Sequence, residues 1–516
     1  MSWLHEVNEL RKRKELAAQM GGPEGIARQR KRGKLTVRER IDLLADEGSF
    51  QEVGGQTGTG TYDDDGNLTD FRPANVVMGL VELDGRSVLV NGGDFTVRGG
   101  ASDGAVGDKS GHIQRMAEQW RLPYVRLLDA AGGSVRSSEK KGRTNIPGKM
   151  GSPIPDLLNI VPVVSGVLGS VAGLPAVEAC MAHFNVMVKE SSQVFVSGPP
   201  VVKAALGYDI TKEELGGPHI QVHGSGTVDN LAETEEEAMQ MIRRFLSYMP
   251  PSVWDMPSRV DPEDSPDRKD EDLLSIIPRD RTKLYDPYEI LGRVLDTESF
   301  FEIAPFYGGA RITGLARVNG YPVGVMINNP NHLGGGTDVA AGDKIIRLML
   351  LCNTFHLPMV YFADEPGFMV GLEAEKQGIV RAGARMVLAQ RETIMPWITI
   401  ITRQIYGVAG GCHVRPGNMY KRYAWPSGHW GSLHIKGGAM AAYRREIDEA
   451  PDPDAKRAEI EERLSAFSSP FRSAEAFDME DIIDPRETRP LLCKFIEQAQ
   501  PVLRSQLGPP NAPYRP

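Results

Sequence analysis

The sequence predicts a mixed α/β protein built as two related halves, each around a largely parallel sheet. Three observations lead there. The chain has 516 residues, beyond the roughly 250 to 300 at which a single hydrophobic core stops growing. Short β-rich runs (SVLVNG, YVRLLDA, VPVVSGVLG) alternate with helical patterns (DKSGHIQRMAEQWR, DKIIRLMLLCNTF), the alternation that produces parallel sheets covered by helices. The two halves also echo one another.

The echo runs in order along the chain. RIDLLADEGSFQEV (Arg40 to Val53) returns as EILGRVLDTESFFEI (Glu289 to Ile303), with Phe50 matching Phe300 at a shift of 250. MGLVELDGRSVLV from Met78 returns as TGLARVNGYPVGV from Thr313 at a shift of 235. At that same shift of 235, RLPYVRLLDAAG (Arg121 to Gly132) pairs with HLPMVYFADEPG (His356 to Gly367). Finally Val171-Ala172-Gly173 meets Val408-Ala409-Gly410 at 237. Four ordered echoes at nearly one spacing indicate an internal duplication. The expected organisation is a first domain over residues 1–250, a connector over 251–287 rich in Pro, Asp, Arg and Ser, and a second domain over 288–516 that closes on a charged helix from Asp452 to Phe467.

Composition narrows the function. A net charge of -9 supplies no positive field to gather nucleic acid or an anionic membrane. Cys180, Cys352, Cys412 and Cys493 are scattered with no C-x-x-C spacing, which encodes neither a zinc ribbon nor a disulfide framework and suits a reducing compartment. The first residues mix charges and lack the apolar stretch of a secretory signal, so the expected location is cytoplasmic. Leu157 to Val177 is uncharged for about a membrane span. Pro162, Gly166, Gly169, Gly173 and Pro175 interrupt it, and Val163 to Leu168 reads as a buried strand running into a turn.

Each half carries a small-residue turn after an apolar strand: Gly169 to Pro175 in the first and Tyr406 to Gly411 in the second. Opening into a helix, such a turn aims backbone N–H groups at one point and can hold an oxyanion such as a thioester enolate. Glycines alone more often mark tight turns, but their occurrence in both halves strengthens the functional reading. There is no G-x-S-x-G nucleophile elbow and no phosphate-binding G-x-x-x-x-G-K-[ST] loop.

Seven segments, in order, carry a family resemblance. They are RGKLTVRERIDLLADEGSF (Arg32 to Phe50), GGDFTVRGGAS (Gly92 to Ser102), VSGPPVVKAALGYDITKEELGG (Val196 to Gly217), DEPGF (Asp364 to Phe368), ITRQIYG (Ile401 to Gly407), YAWPSGHWGSLHIKGG (Tyr423 to Gly438) and DIIDPRETRP (Asp481 to Pro490). Through them the chain resembles the carboxyltransferase (β) subunits of biotin-dependent acyl-CoA carboxylases, the propionyl-CoA and methylcrotonyl-CoA branch in particular, from about Lys31 to Arg504.

The resemblance implies two crotonase-type domains in one chain. It further implies a dimer-based hexamer whose sites join the first domain of one protomer to the second domain of another. Coenzyme A, the acyl carrier, would lie mainly on the first domain, and biotin would arrive on a partner. The amides of Gly173 and Leu174 would hold the enolate, and those of Val408 and Ala409 the ureido oxygen of carboxybiotin. Gly99, Gly100, Gly132, Gly133, Gly407, Gly410 and Gly411 would line the substrate. The family's biotinyl lysine sits in Met-Lys-Met, which does not occur here, so a biotin carboxylase and biotin carboxyl carrier partner is implied. No metal is implied.

The chain departs from the family's text in places. Asp129 to Arg136 reads DAAGGSVR, and Ala172-Gly173-Leu174-Pro175 replaces Ala-Gly-Gly-Ala. Gly411 stands where relatives place an acyl-selecting Asp, leaving room and no charge. Cys412-His413 and Glu365 add polar groups nearby, most simply ordinary satisfied side chains, and Glu178 is a weak acid/base candidate. The basic run Arg28 to Arg40 could neutralise coenzyme A phosphates, although such runs usually face solvent. Lys109 and Lys344 match between the halves and are read likewise. A decarboxylase or transcarboxylase subunit and a non-catalytic subunit of a mixed complex are the alternatives.

Overall fold

The computed structural model describes residues 2–144, 154–412 and 418–516. They form two compact units, residues 1–253 with Pro516, and 254–515.

The strands of the first unit are β1 (Gln51–Glu52), β2 (Gly58–Tyr62), β3 (Leu68–Pro73), β4 (Val76–Leu83), β5 (Arg86–Gly93), β6 (Tyr124–Ala130), β7 (Val163–Ala172), β8 (Phe184–Val188), β9 (Gln193–Phe195) and β10 (Asn230–Ala232). The second unit holds β11 (Phe301–Glu302), β12 (Arg311–Val318), β13 (Tyr321–Asn328), β14 (Met359–Glu365), β15 (Trp397–Tyr406), β16 (Tyr420–Ala424), β17 (His429–Gly431) and β18 (Asp481–Ile482). The two main sheets share one topology. The first runs β1-β4-β5-β6-β7-β8-β10 with β9 paired to β7, and the second runs β11-β12-β13-β14-β15-β16-β18 with β17 paired to β15. From β5 and from β13 onward the pairings are parallel.

The duplication is also written in the backbone. Left-handed residues recur at the same shift in both units: Asp84 and Asn319, Arg98 and Leu333, and Arg121 and His356. Such conformations cost energy for residues with a Cβ, so their recurrence marks turns that the fold, not the local sequence, imposes. Central strands read as continuous apolar runs because helices cover both faces. Val323, Val325, Phe362, Ile398 and Ile400 pack against Ile290, Leu291 and Val294 in the second unit, and Val167, Val171 and Met187 against Ala176 and Ala179 in the first.

Three features differ from the sequence reading. The strand expected to end at Leu168 continues to Ala172, so the first turn is confined to Gly173. The expected connector, from Trp254 onward, is fastened to the second unit: Leu273 and Tyr285 are buried in its core and Arg268 donates to the carbonyl of Leu295 at 2.7 Å. Before the first sheet lie helices Leu4–Ala18 and Gly22–Lys31, and the β2–β3 hairpin forms a separate small sheet. None of these was anticipated, because the arm has little amphipathic period and the hairpin is polar. Among the described residues no helix is long and apolar enough to cross a membrane.

Candidate functional site

In each unit a ten-residue strand, β7 or β15, ends in one glycine of positive φ and passes directly into a helix. Those glycines are Gly173 (φ 68) and Gly407 (φ 62). They are equivalent by conformation and by place, at a shift of 234. The Val-Ala-Gly match at 237 is therefore out of step by three residues, a coincidence of letters. The helices beyond are Leu174–Cys180 and Gly407–Gly411.

The first turn is narrower than expected. The N–H of Gly173 donates to the carbonyl of Val196 at 3.0 Å, with Phe195 at 3.3 Å, because β9 lies alongside. It is committed to the fold and cannot serve as one of two free donors. Pro175 has no N–H, and the amides of Ala176 and Val177 both donate to Gly173. Leu174 is the helix's first residue, whose amide a helix cannot satisfy internally, and its side chain is half exposed. A second donor stands close by. A Cβ built on Gly173 would lie 4.0 Å from the amide nitrogen of Gly133, which has no acceptor among the described residues. In the second unit Val408 and Ala409 occupy the first turn of their helix, Val408 exposed and Ala409 buried.

The remaining glycines converge on the same end of the sheet. Gly100 (φ 64) lies against the Asp129 carbonyl, 2.6 Å from where a Cβ would stand, and Gly132 (φ 78) packs on the carbonyl of Ala172. Ala131 donates to the carbonyl of Gly99 at 3.1 Å, so Gly99–Gly100, Gly132–Gly133 and Gly173 form one layer across the ends of β5, β6 and β7. The second unit repeats the layer with Gly334–Gly335, Gly367 and Gly407. Gly335 and Gly367 were missed as site residues, although the 235-residue shift already pointed to them. Gly407, Gly410 and Gly411 border a cavity of about 370 Å³ with Trp430, Arg422 and Met479. Among the described residues, a Cβ on Gly411 would meet nothing within 4 Å.

The largest departure from the sequence reading is a basic cavity of about 650 Å³ on the first unit, walled by the N-terminal arm, the β2–β3 hairpin and the segment after β5. Arg28, Arg32, Arg72 and Arg98 line it with Phe95 and Gly99. Among the described residues the buried Arg72 Nε has no acceptor. Arg28, Arg32 and Arg98 are exposed at the cavity's rim, with Arg98 Nε donating to Asp103 at 2.9 Å, and only Arg72 is partly buried; a cluster of guanidinium groups suits phosphate. Arg28 and Arg32 belong to the basic run noted in the sequence. Arg72 and Arg98 could not be grouped with them until the hairpin folded over.

Beneath each layer lies a buried carboxylate. Asp129, at the end of β6, accepts Lys34 at 2.6 Å, Gln29 at 3.1 Å and Arg40 at 3.2 Å, all on Oδ2, and Arg40 also pairs with Glu235 at 2.6 Å. A capping box between Thr36 and Glu39 starts the helix Val37–Leu44 and so turns Arg40 inward. Burial lowers the Lys34 pKa against the pull of Asp129. In the second unit Asp364 accepts Arg403 at 3.0 Å and the Tyr285 hydroxyl at 3.0 Å, and burial raises its pKa.

Several polar candidates prove structural. Glu365 is buried and held by Arg311, Thr337 and Asn328. Lys109 donates to the carbonyls of Gly54 and Val76, and Lys344 to those of Ala304 and Arg311. Burial pushes the Cys412 thiol up to about 12. Glu178 is half-buried beside the fully buried Arg126. His413 lies outside the described residues.

Two crotonase-type units, each ending a central strand in a positive-φ glycine that leads into a helix, define the fold class. The chain belongs to the carboxyl transferase family: the carboxyl transferase domain matches residues 28–506. It is 32% identical over 511 residues to the carboxyltransferase subunit of propionyl-CoA carboxylase from Haloferax mediterranei, covering 98% of both chains. It is 32% identical over 472 residues to the α subunit of methylmalonyl-CoA decarboxylase from Veillonella parvula, covering 91% of both. Among solved structures, transcarboxylase 12S with methylmalonyl-coenzyme A and methylmalonic acid bound superposes with a TM-score of 0.86 at 31% identity, over 96% of this chain and 95% of that one.

Proposed function

We propose that this chain is the carboxyltransferase component of a biotin-dependent acyl-CoA carboxylase, working with a separate biotinylated partner as a homo-oligomer. The observation that carries the reading is the repeated turn. Both units place a positive-φ glycine and a helix start at the end of the same strand, and the first adds a basic cavity. One unit thus suits an acyl-CoA, with its phosphates among Arg28, Arg32, Arg72 and Arg98, and the other suits an uncharged ring with a polarised oxygen.

In this reading the Leu174 amide, joined by that of Gly133, holds the thioester oxygen as it gains negative charge. The Val408 and Ala409 amides hold the oxygen of the carboxyl donor. Biotin, when bound, supplies the carboxyl group and then a basic ureido nitrogen. The chain contributes orientation and fixed dipoles, which act where charge develops in the transition state and need no reorganisation. No side-chain nucleophile is required, consistent with Glu365, Lys109, Lys344 and Cys412 being structural. The open space at Gly411 suits an acyl group bulkier than propionyl.

The test is to capture the tagged chain from its native extract and probe with streptavidin for a stoichiometric biotinylated protein, then assay the pair. Carboxylation of acyl-CoA dependent on ATP and bicarbonate is the expected result. Transfer from a carboxylated acyl-CoA without either would assign the decarboxylase or transcarboxylase direction, the chemistry named for the Veillonella relative. An absence of acyl-CoA binding would favour a non-catalytic subunit.

A further inference from the structure

The two units neutralise the same buried carboxylate in different ways. Asp129 and Asp364 are equivalent, at the ends of β6 and β14. On the neighbouring strand, four residues before the turn glycine, the second unit has Arg403 and the first has Gly169. Arg403 forks onto Asp364 from within the sheet. At Gly169 no side chain is present, and a Cβ there would overlap the Asp129 carboxylate and lie 2.6 Å from the Lys34 ammonium. The first unit thus imports its cation from the arm, through a gap that only glycine leaves open.

That arm also walls the basic cavity. Gln29 lines the cavity and donates to both Asp129 and the carbonyl of Leu35. Phe95 lines it too, with the Lys34 ammonium 4.6 Å from its ring centroid. From Asp129 the chain passes directly into Ala130–Gly133, the loop that packs on Ala172 and Gly173, next in sequence to Leu174. Cavity wall, buried charge and turn are joined by single contacts. Lys34, Arg40, Asp129 and Glu235 form a balanced quartet, all buried.

We propose that Lys34 is a positioning residue: an acyl-CoA seated in the arm cavity fixes Gln29 and Lys34, which hold Asp129 and so set the Ala130–Gly133 loop against the Leu174 amide. The inference rests on the acyl-CoA reading above. Its consequence is that the first turn is in register only when the arm is docked, whereas the second turn carries its own support in Arg403.

The test separates charge balance from positioning. K34M leaves the carboxylate side of the quartet in excess and should lower the thermal midpoint. K34M/D129N removes one charge of each sign, leaves Arg40 paired with Glu235, and should restore that midpoint. In the holo-complex the double variant is expected to bind free coenzyme A within threefold of the parent, with KM for acyl-CoA within threefold, yet to lose at least tenfold in kcat. Hydrogen exchange of a peptide covering residues 129–135, measured on the chain without substrate, should be several-fold faster than in the parent. A double variant with parental kcat and parental exchange would show that Lys34 only balances charge, and would overturn the proposal. If the parent itself binds no coenzyme A, the acyl-CoA reading fails and the proposed coupling fails with it; the exchange comparison then tells separately whether Lys34 holds the loop, and equal exchange removes that role too.

Discussion

Leu174→Pro isolates a single backbone donor. Leu174 is the first residue of its helix, the position proline tolerates best because the missing N–H has no intrahelical acceptor. Gly173, at φ 68 and ψ -136, is a glycine in the mirror image of the extended conformation that a residue before proline adopts. The leucine side chain is 47% exposed, so its replacement removes little packing. The expected cost to folding is about 1 kcal/mol or less. Loss of one oxyanion donor is expected to raise the barrier by roughly 3 kcal/mol, about a hundredfold in kcat. Leu174→Ala, which keeps the amide, is the control. Both variants are assayed for carboxyl transfer between acyl-CoA and biotin beside a thermal melt. Leu174→Pro retaining more than a tenth of parental kcat with an unchanged melt would refute the donor role.

Four further outcomes follow from the geometry. Arg403→Met strands the buried Asp364 and is expected to cost the second unit about 3 to 5 kcal/mol in denaturant unfolding, most of it recovered by adding Asp364→Asn. Arg32→Ala with Arg98→Ala should raise KM for acyl-CoA at least tenfold with kcat little changed, and should weaken the salt dependence of binding; an unchanged KM would remove the phosphates from that cavity. A Cβ at Gly411 meets nothing within 4 Å among the described residues, and Gly411→Asp should shift acyl preference towards short chains, read as a changed ratio of kcat/KM values across an acyl-CoA series. His429, buried near Arg281 and Arg403, has its pKa lowered to about 3. Because the folded value lies below the unfolded one near 6.5, the neutral ring's contribution is intact above pH 6.5. It is lost at up to about 1.4 kcal/mol per pH unit as pH falls towards 3, so His429→Gln should flatten that part of the acid limb in a melt series.

What the sequence determined by itself is the periodic and repetitive part. β-rich runs such as YVRLLDA became strands at the predicted residues, because a strand buried on both faces must be continuously apolar apart from the few residues with buried partners. The duplication was legible because two copies keep turn glycines at a fixed spacing where the backbone needs positive φ. Tertiary structure decided what depends on distant pieces meeting. The Gly173 amide is spent because β9 returns beside β7, and nothing in Val-Ala-Gly announces that. Arg72 and Arg98 became one cavity with Arg28 and Arg32 only when a polar hairpin folded over the arm. Asp129 found its cation 95 residues away in Lys34, since Gly169 left a space that its counterpart fills with Arg403. Local pattern records which face of an element is buried, while the partner of a buried charge is set by whichever segment reaches it through three-dimensional packing.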